Sequence, residues 1–321
     1  MSGSTVNSVG ESTGVAEVSR HAAGPESTPA RRHNAARQDR LLGRLATLGP
    51  GLGYLLVFLV VPLALVLSYT LFQRGRFGGI VYEVSGENFS RVADGLYLSV
   101  IWTSIKIAGI TTALALVLGY PTAYLIAHLP QRWRNVALIL VVLPFWTNFL
   151  IRTYAWIILL NSEGVVNHAL TGIGIIDAPL QLLYTKGAIV GGLLYAYLPL
   201  MVLPLYSAIE RLDPQLREAS ANLGARPVRT FWSVTLPLTL PGVLTGCVFV
   251  FVPSLGNFVI PELLGGGRTV MVGNLIRDQF LKARDWPFGA TLALVVVALL
   301  VLLLMAQAWA VRRVSHGSDR A

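Results

Sequence analysis

Glu218, Ala219 and Ser220 are followed by Gly224 and, farther on, by Leu236 and Pro237, in a short polar stretch between two long apolar runs. A carboxylate, two small residues and a turn glycine make no bond-breaking constellation. Asp213 is a good N-cap, and Pro214 follows at the first helical position, where a missing N–H costs nothing. Leu212, Leu216, Ala219 and Leu223 are spaced by four, three and four residues and form one stripe, with Arg217, Glu218 and Asn222 off it. Gly224 suits the left-handed residue that ends such a helix, and Pro227 can open a second short one through Arg229 and Trp232. The segment therefore reads as helix, tight turn, helix. An interfacial helix with Arg217, Arg226 and Arg229 among anionic headgroups would explain the charge. It would not explain why the Glu-Ala-Ser spacing, the turn glycine and the Leu-Pro exit occur together.

The elements that must position this segment cross a membrane. Hydrophobic residues make up 54% of the 321 and charged residues only 13%, and several apolar runs exceed the ~18 to 20 residues a helix needs to cross a bilayer. The expected fold class is all-α, a polytopic membrane protein of about six transmembrane helices. The spans are placed near 51–73, 97–127, 135–158, 188–209, 238–260 and 289–311. Arg31, Arg32, Arg37, Arg40 and Arg44 precede the first span, Arg132 and Arg134 lie between the second and third, and Arg312 and Arg313 follow the last. Arg211, Arg217, Arg226 and Arg229 lie in the polar segment. Lys and Arg near membrane ends favour the cytoplasm, so both termini and this segment are expected there. The net charge of +9 then reads as a topology signal, with no nucleic-acid partner needed.

The expected domains are a disordered cytoplasmic tail over 1–45, a transmembrane domain over 46–314 with its cytoplasmic loop at 211–237, and a short cytoplasmic tail over 315–321. The first tail is rich in Ser, Gly, Ala, Pro and Arg and has too few large apolar residues to fold. Cys247 is the only cysteine, so neither a disulfide framework nor a thiolate metal site is expected. His21, His33, His128, His168 and His316 are scattered, none at metal-ligand spacing. Lys106, Lys186 and Lys282 follow Ile105, Thr185 and Leu281, so no phosphate-cradling Gly-Lys-Ser/Thr is present. No catalytic residues, cofactor or metal are expected, and energy must come from a partner.

The polar segment resembles the cytoplasmic EAA loop of ABC-importer permeases, with Ser220 standing where the family has a second alanine. LPFWTNFLIRTYAWIILL at 143–160, YLPLMVLPLYSAIERLD at 197–213 and PSLGNFVIPELLGGGRTVMVGNLIRDQFLKARDWPFGA at 253–290 look like the first permease subunit of spermidine/putrescine importers. The resemblance covers about residues 50 to 311. It implies an extracytoplasmic solute-binding protein, a second homologous permease subunit, and two copies of an ATP-binding subunit docked on the loop. It also implies that Glu218, Ala219, Ser220, Gly224, Leu236 and Pro237 couple ATP hydrolysis to transport. The expected location is the bacterial cytoplasmic membrane, in contact with the lipid bilayer.

A polyamine path should offer carboxylates or aromatic faces to an ammonium. Candidates are Trp146, Tyr154 and Trp156, then Tyr195 and Tyr197, then Glu262 near the outer end of span five, and Asp278. Aromatics at helical spacing also serve as packing or interface anchors. Asp278 and Asp285 could form an acidic mouth or pair with Arg277, Lys282 and Arg284, and pairing is the favoured reading. Lys106 is expected to snorkel, and Arg152 shares a stripe with Phe145, Phe149 and Trp156 that need not face the path. Alternatives are a permease for an amino acid, phosphonate or metal-type substrate, or a secondary transporter. The latter lacks the expected paired broken helices and buried ion-binding acid. A scaffold would leave the loop unexplained.

Overall fold

The computed structural model describes residues 49–51, 53–75 and 79–318, with side chains described up to Trp309 and for Val311. The tail expected over 1–45 lies outside the described residues. Two units divide at Pro62. In the first, the described residues are helical and none is buried, with Leu56–Val60 wound as a π-helix. The first stretch long and apolar enough to cross a membrane, Gly49–Tyr69 (α1), runs over this boundary.

In the second unit, a two-residue antiparallel ladder pairs Gln73 with Val81 and Arg74 with Ile80. The rest of the regular structure is helical. It comprises Glu87–Val92 (α2), Gly95–His128 (α3), Gln131–Val142 (α4), Phe149–Leu160 (α5), Val165–Gly172 (α6) and Lys186–Glu210 (α7). It continues through Pro214–Asn222 (α8), Pro227–Thr230 (α9), Leu236–Gly256 (α10), Val259–Gly265 (α11), Val272–Leu281 (α12) and Trp286–Ser318 (α13). Six stretches are long and apolar enough to cross a bilayer, and the fold is all-α apart from the small ladder. The chain is a multi-pass membrane protein.

The third span departs from expectation. The continuous helix expected near 135–158 is two helices, α4 and α5, joined by a 3-10 turn at Leu143–Trp146. Pro144 sits in the turn, and the Asn148 side chain caps α5 by accepting from the Leu150 and Ile151 amides. Apolar composition hid this break, because Pro144 and Asn148 punctuate the run without changing its mean hydropathy. At 12 residues α5 is only ~18 Å long against a ~30 Å hydrocarbon layer. The apolar stretch long enough to cross here is Phe149–Gly172, which takes in α6. Phe145 thus leaves the helical stripe it was expected to share with Phe149, Arg152 and Trp156. Span five also ends early. Gly256 closes α10, and Asn257, in extended geometry, separates it from α11.

Helices α3, α7 and α10 share a core of Ala115, Tyr120, Ala123, Met201, Leu205 and Val250. Gly242 and Gly246, spaced as Gly-x-x-x-Gly, let α10 approach α7 closely, as in membrane helix pairs generally. A Cβ on Gly246 would lie 2.7 Å from Met201 Sδ and 3.3 Å from the Met201 carbonyl oxygen. Prolines 199, 204, 241 and 253 lie inside these two helices, where packed neighbours make the loss of an amide tolerable. A second cluster joins Ile189, Leu193 and Ala196 of α7 to Ile260 and Leu264 of α11. Asp285, 1% exposed, caps α13 by accepting from the Phe288 amide at 3.1 Å. Its salt bridge is to Arg91, at 3.0 Å. Of the partners expected from their nearness in sequence, Arg277 and Lys282 are taken by Asp278, and the Asp285 carboxylate reaches α2 instead.

Candidate functional site

The segment after α7 folds as its sequence suggests. Asp213 accepts from the Gln215 amide at 2.9 Å, and Pro214 opens α8. The helix closes through the Leu223 amide on the Ala219 carbonyl (3.1 Å), and Gly224 follows at φ +79°. A Cβ there would meet no atom within 4 Å, so only the left-handed backbone demands glycine. Pro227 opens α9, and a π-turn at Phe231–Thr235 leads into α10.

Ser220 is where the sequence departs from the family pattern, and its hydroxyl lies 3.0 Å from that of Thr230, which is buried. The pair clamps α8 to α9. Glu218 is exposed and makes no hydrogen bond or ion pair within the described residues. In the same segment Leu223 (88% exposed), Val228 and Trp232 are open apolar side chains. Leu236 packs into the α3–α7–α10 core and Pro237 lies exposed in the first turn of α10, so these two join the segment to the core.

The segment is tied to the bundle at few points. Phe231 meets the Tyr120 ring edge-on, with centroids 5.4 Å apart, and the Tyr120 hydroxyl lies 2.9 Å from Thr239 Oγ1. Arg217 contacts His128, the last residue of α3. Arg134 donates to Glu210 Oε1 at 2.9 Å and to the Ala127 carbonyl at 3.0 Å, binding the starts and ends of α3, α4 and α7 together. Between these ties lie a cavity of about 420 Å³ bounded by Tyr124, Glu218, Ala221 and Phe231 and one of about 160 Å³ bounded by His128, Arg134, Leu212 and Pro214. Sequence reasoning missed Thr230, Arg134 and His128. The only signal for His128 was its place four residues after Tyr124, and the two rings lie 4.2 Å apart.

The candidate path residues fall into three groups. Trp146 and Tyr154 are exposed, on the 3-10 turn and α5. Trp156 and Tyr195 come together at 5.9 Å, with the Arg152 guanidinium 5.7 Å from the Tyr195 ring and also bonded to the Pro144 carbonyl. The Tyr197 hydroxyl accepts from Asn257 Nδ2 at 2.8 Å, which fixes the break between α10 and α11. Glu262 and Asp278 meet through Arg277, at 3.0 and 2.7 Å, and Lys282 adds a second bond to Asp278 at 3.1 Å. Burial works against the Asp278 carboxylate, but its bonds from Arg277 and Lys282 outweigh that and hold it below its ordinary range. The bond to Asp278 likewise raises the Arg277 guanidinium. Lys106 leans over Trp102, one turn nearer the start of α3, with Nζ 5.6 Å from the ring. No cluster of His, Cys, Asp and Glu among the described residues could hold a metal.

Residues 115–316 match the family described as binding-protein-dependent transport system inner membrane component. The chain belongs to this permease family. It is 41% identical over 251 residues to the spermidine/putrescine transport system permease protein PotB of Haemophilus influenzae, covering 78% of this chain and 88% of that one. The PotB of Escherichia coli strain K12 is 40% identical over 253 residues, covering 79% and 92%. A bacterial alginate ABC transporter, solved with an alginate pentasaccharide-bound periplasmic protein, has a chain that superposes with TM-score 0.70 at 18% identity, covering 88% of this permease and 98% of that chain. That likeness speaks for the fold alone.

Proposed function

We propose that this permease carries polyamines of the spermidine and putrescine class into the cytoplasm, as half of a two-subunit path driven by ATP. The observation that carries the substrate class is the similarity to the PotB proteins along nearly their whole length. A solute-binding protein delivers the substrate to the face opposite α8, a second homologous permease completes the path, and two ATP-binding subunits dock on α8 and α9. Both termini and the α8–α9 segment lie in the cytoplasm, and residues 1–45 form a tail there.

In this reading α8 is the coupling helix. The exposed Leu216, Leu223, Val228 and Trp232 enter the ATPase cleft, Glu218 supplies a charged contact, and Gly224 sets the angle between α8 and α9. Ser220 keeps the two helices moving as one body by its bond to Thr230. Closure of the ATPase pair then rocks the spans between two arrangements, the usual route of alternating access. On the path, the open rings of Trp146 and Tyr154 and the Trp156–Tyr195 pair offer faces to ammonium groups. Glu262 and Asp278 attract cations toward the opposite mouth, where Arg277 tempers their charge.

The test is ATP hydrolysis by the complex reconstituted with its binding protein and ATPase, against spermidine, putrescine, amino acids, phosphonates and molybdate. Stimulation and uptake with the polyamines alone are expected. Stimulation by another class and not by polyamines would replace the substrate and leave the permease intact.

A further inference from the structure

His128 ends α3, and its two ring nitrogens have different partners. Nδ1 lies 2.7 Å from the Tyr124 carbonyl. A carbonyl only accepts, so Nδ1 carries the proton. Nε2 contacts Arg217 Nη1. A guanidinium only donates, so a hydrogen bond here requires Nε2 to present its lone pair.

Arg217 neighbours Glu218 on α8. Among the described residues, its contact with His128 is the one side-chain hydrogen bond between α8 and α3. Much of the remaining space between α8 and α3 is the pair of cavities bounded by Tyr124 and by His128. Direct contact between α8 and α3 is therefore sparse, the other route running through α9 to the Phe231–Tyr120 ring pair. The end of α3 is in turn fixed to α4 and α7 by Arg134, through the Ala127 carbonyl and Glu210.

We propose that His128 is a positioning residue of the transport cycle, the direct tie by which movement of α8 reaches the end of α3, and that it holds only as the neutral Nδ1–H tautomer. This rests on the permease reading of α8 as the docking helix and not on the identity of the substrate. The groups facing the ring are Tyr124 on α3, Arg134 on α4, Glu210 on α7 and Arg217 on α8. Protonation of Nε2 removes the acceptor and sets an imidazolium against Arg217, while Glu210, the carboxylate nearby, is already held by Arg134. The ring is exposed, so protons from the α8 side reach it.

The experiment uses the whole complex in proteoliposomes with spermidine as the probe, and follows uptake, ATP hydrolysis and an ATP-dependent spin-label distance between the starts of α3 and α13. His128→Ala and Arg217→Ala should each lower uptake per ATP about tenfold, within the usual range of coupling effects. The double variant should fall no further than either single one. His128→Gln can still accept from Arg217 but cannot gain a proton. It should keep wild-type uptake and lose the decline that wild type shows when the ATPase side is acidified. Additive losses, an unchanged uptake per ATP in His128→Ala, or an acid-induced decline that persists in His128→Gln would each overturn the proposal. Should His128→Ala fail to co-purify with the ATPase, the His128→Gln acid profile decides. If wild type shows the distance change but no spermidine uptake, the polyamine reading falls, and the same variants are then judged by the distance change.

Discussion

Between Glu262 and Asp285 every carboxylate finds its cation inside the chain, whereas Glu218, at the opposite end of the α3–α7–α10 core, finds none. Glu262 and Asp278 share Arg277, and Asp285 takes Arg91. In the segment that carries Glu218, apolar side chains are left exposed too, Leu223 and Val228 most of all. A charged group without a partner and an open apolar face are tolerated when another protein supplies both contacts. With α8 as the docking helix proposed above, the self-paired segment serves its own stability and the open one serves assembly.

The comparison is tested hardest by Arg91→Ala. It leaves Asp285 buried without its cation and should cost about 3 kcal/mol of stability, read as a lowered thermal midpoint in detergent. The amount of ATPase bound per folded permease should not change. Glu218→Ala should do the reverse, leaving the melting curve in place and weakening ATPase binding about tenfold, or about 1.4 kcal/mol, by co-purification or titration. If Glu218→Ala melts like Arg91→Ala, the two ends are not different in kind. Gly224→Ala adds no clash, so its effect should be the left-handed backbone cost of about 1 kcal/mol. It should appear as reduced uptake per ATP with membrane insertion intact.

The smallest effect is set by pH. The Asp278 carboxyl lies below its ordinary range when folded, so its contribution is present above about pH 4 and is lost as pH falls through the lowered value. The difference in thermal midpoint between wild type and Asp278→Asn should be constant above that pH and shrink below it. A difference that grows on acidification would mean that Arg277 and Lys282 do not favour the charged form.

The legibility of the site follows the range of the forces involved. Asp213, Pro214, Gly224 and Pro227 act on their own backbone or on amides within one turn, so the helix–turn–helix could be read directly and stands as expected. The break in the third span was also local, at Pro144 and Asn148, but it sat inside so apolar a run that hydropathy overrode it. The partners of Glu262, Asp278 and Asp285 were harder. Neighbours in sequence suggested Arg277, Lys282 and Arg284 for Asp278 and Asp285, which holds for Asp278 with the first two, while the Arg277 bond to Glu262 was not foreseen. Asp285 instead pairs with a residue far upstream, because α2 packs beside the start of α13.

What the sequence determined by itself was the solvent and the punctuation. Long apolar runs can lower their free energy only inside a bilayer, and caps, prolines and a turn glycine set where helices begin and stop, since each acts through its own dihedrals or nearest amides. Tertiary structure alone decided which polar groups meet. Ser220 with Thr230, His128 with Arg217, Tyr197 with Asn257 and Arg91 with Asp285 are joined by the close approach of separate helices, and that approach depends on how small residues such as Gly242 and Gly246 let α10 settle against α7. Such contacts carry no periodicity, because hydrogen bonds and ion pairs are made at about 3 Å between atoms that only packing brings together.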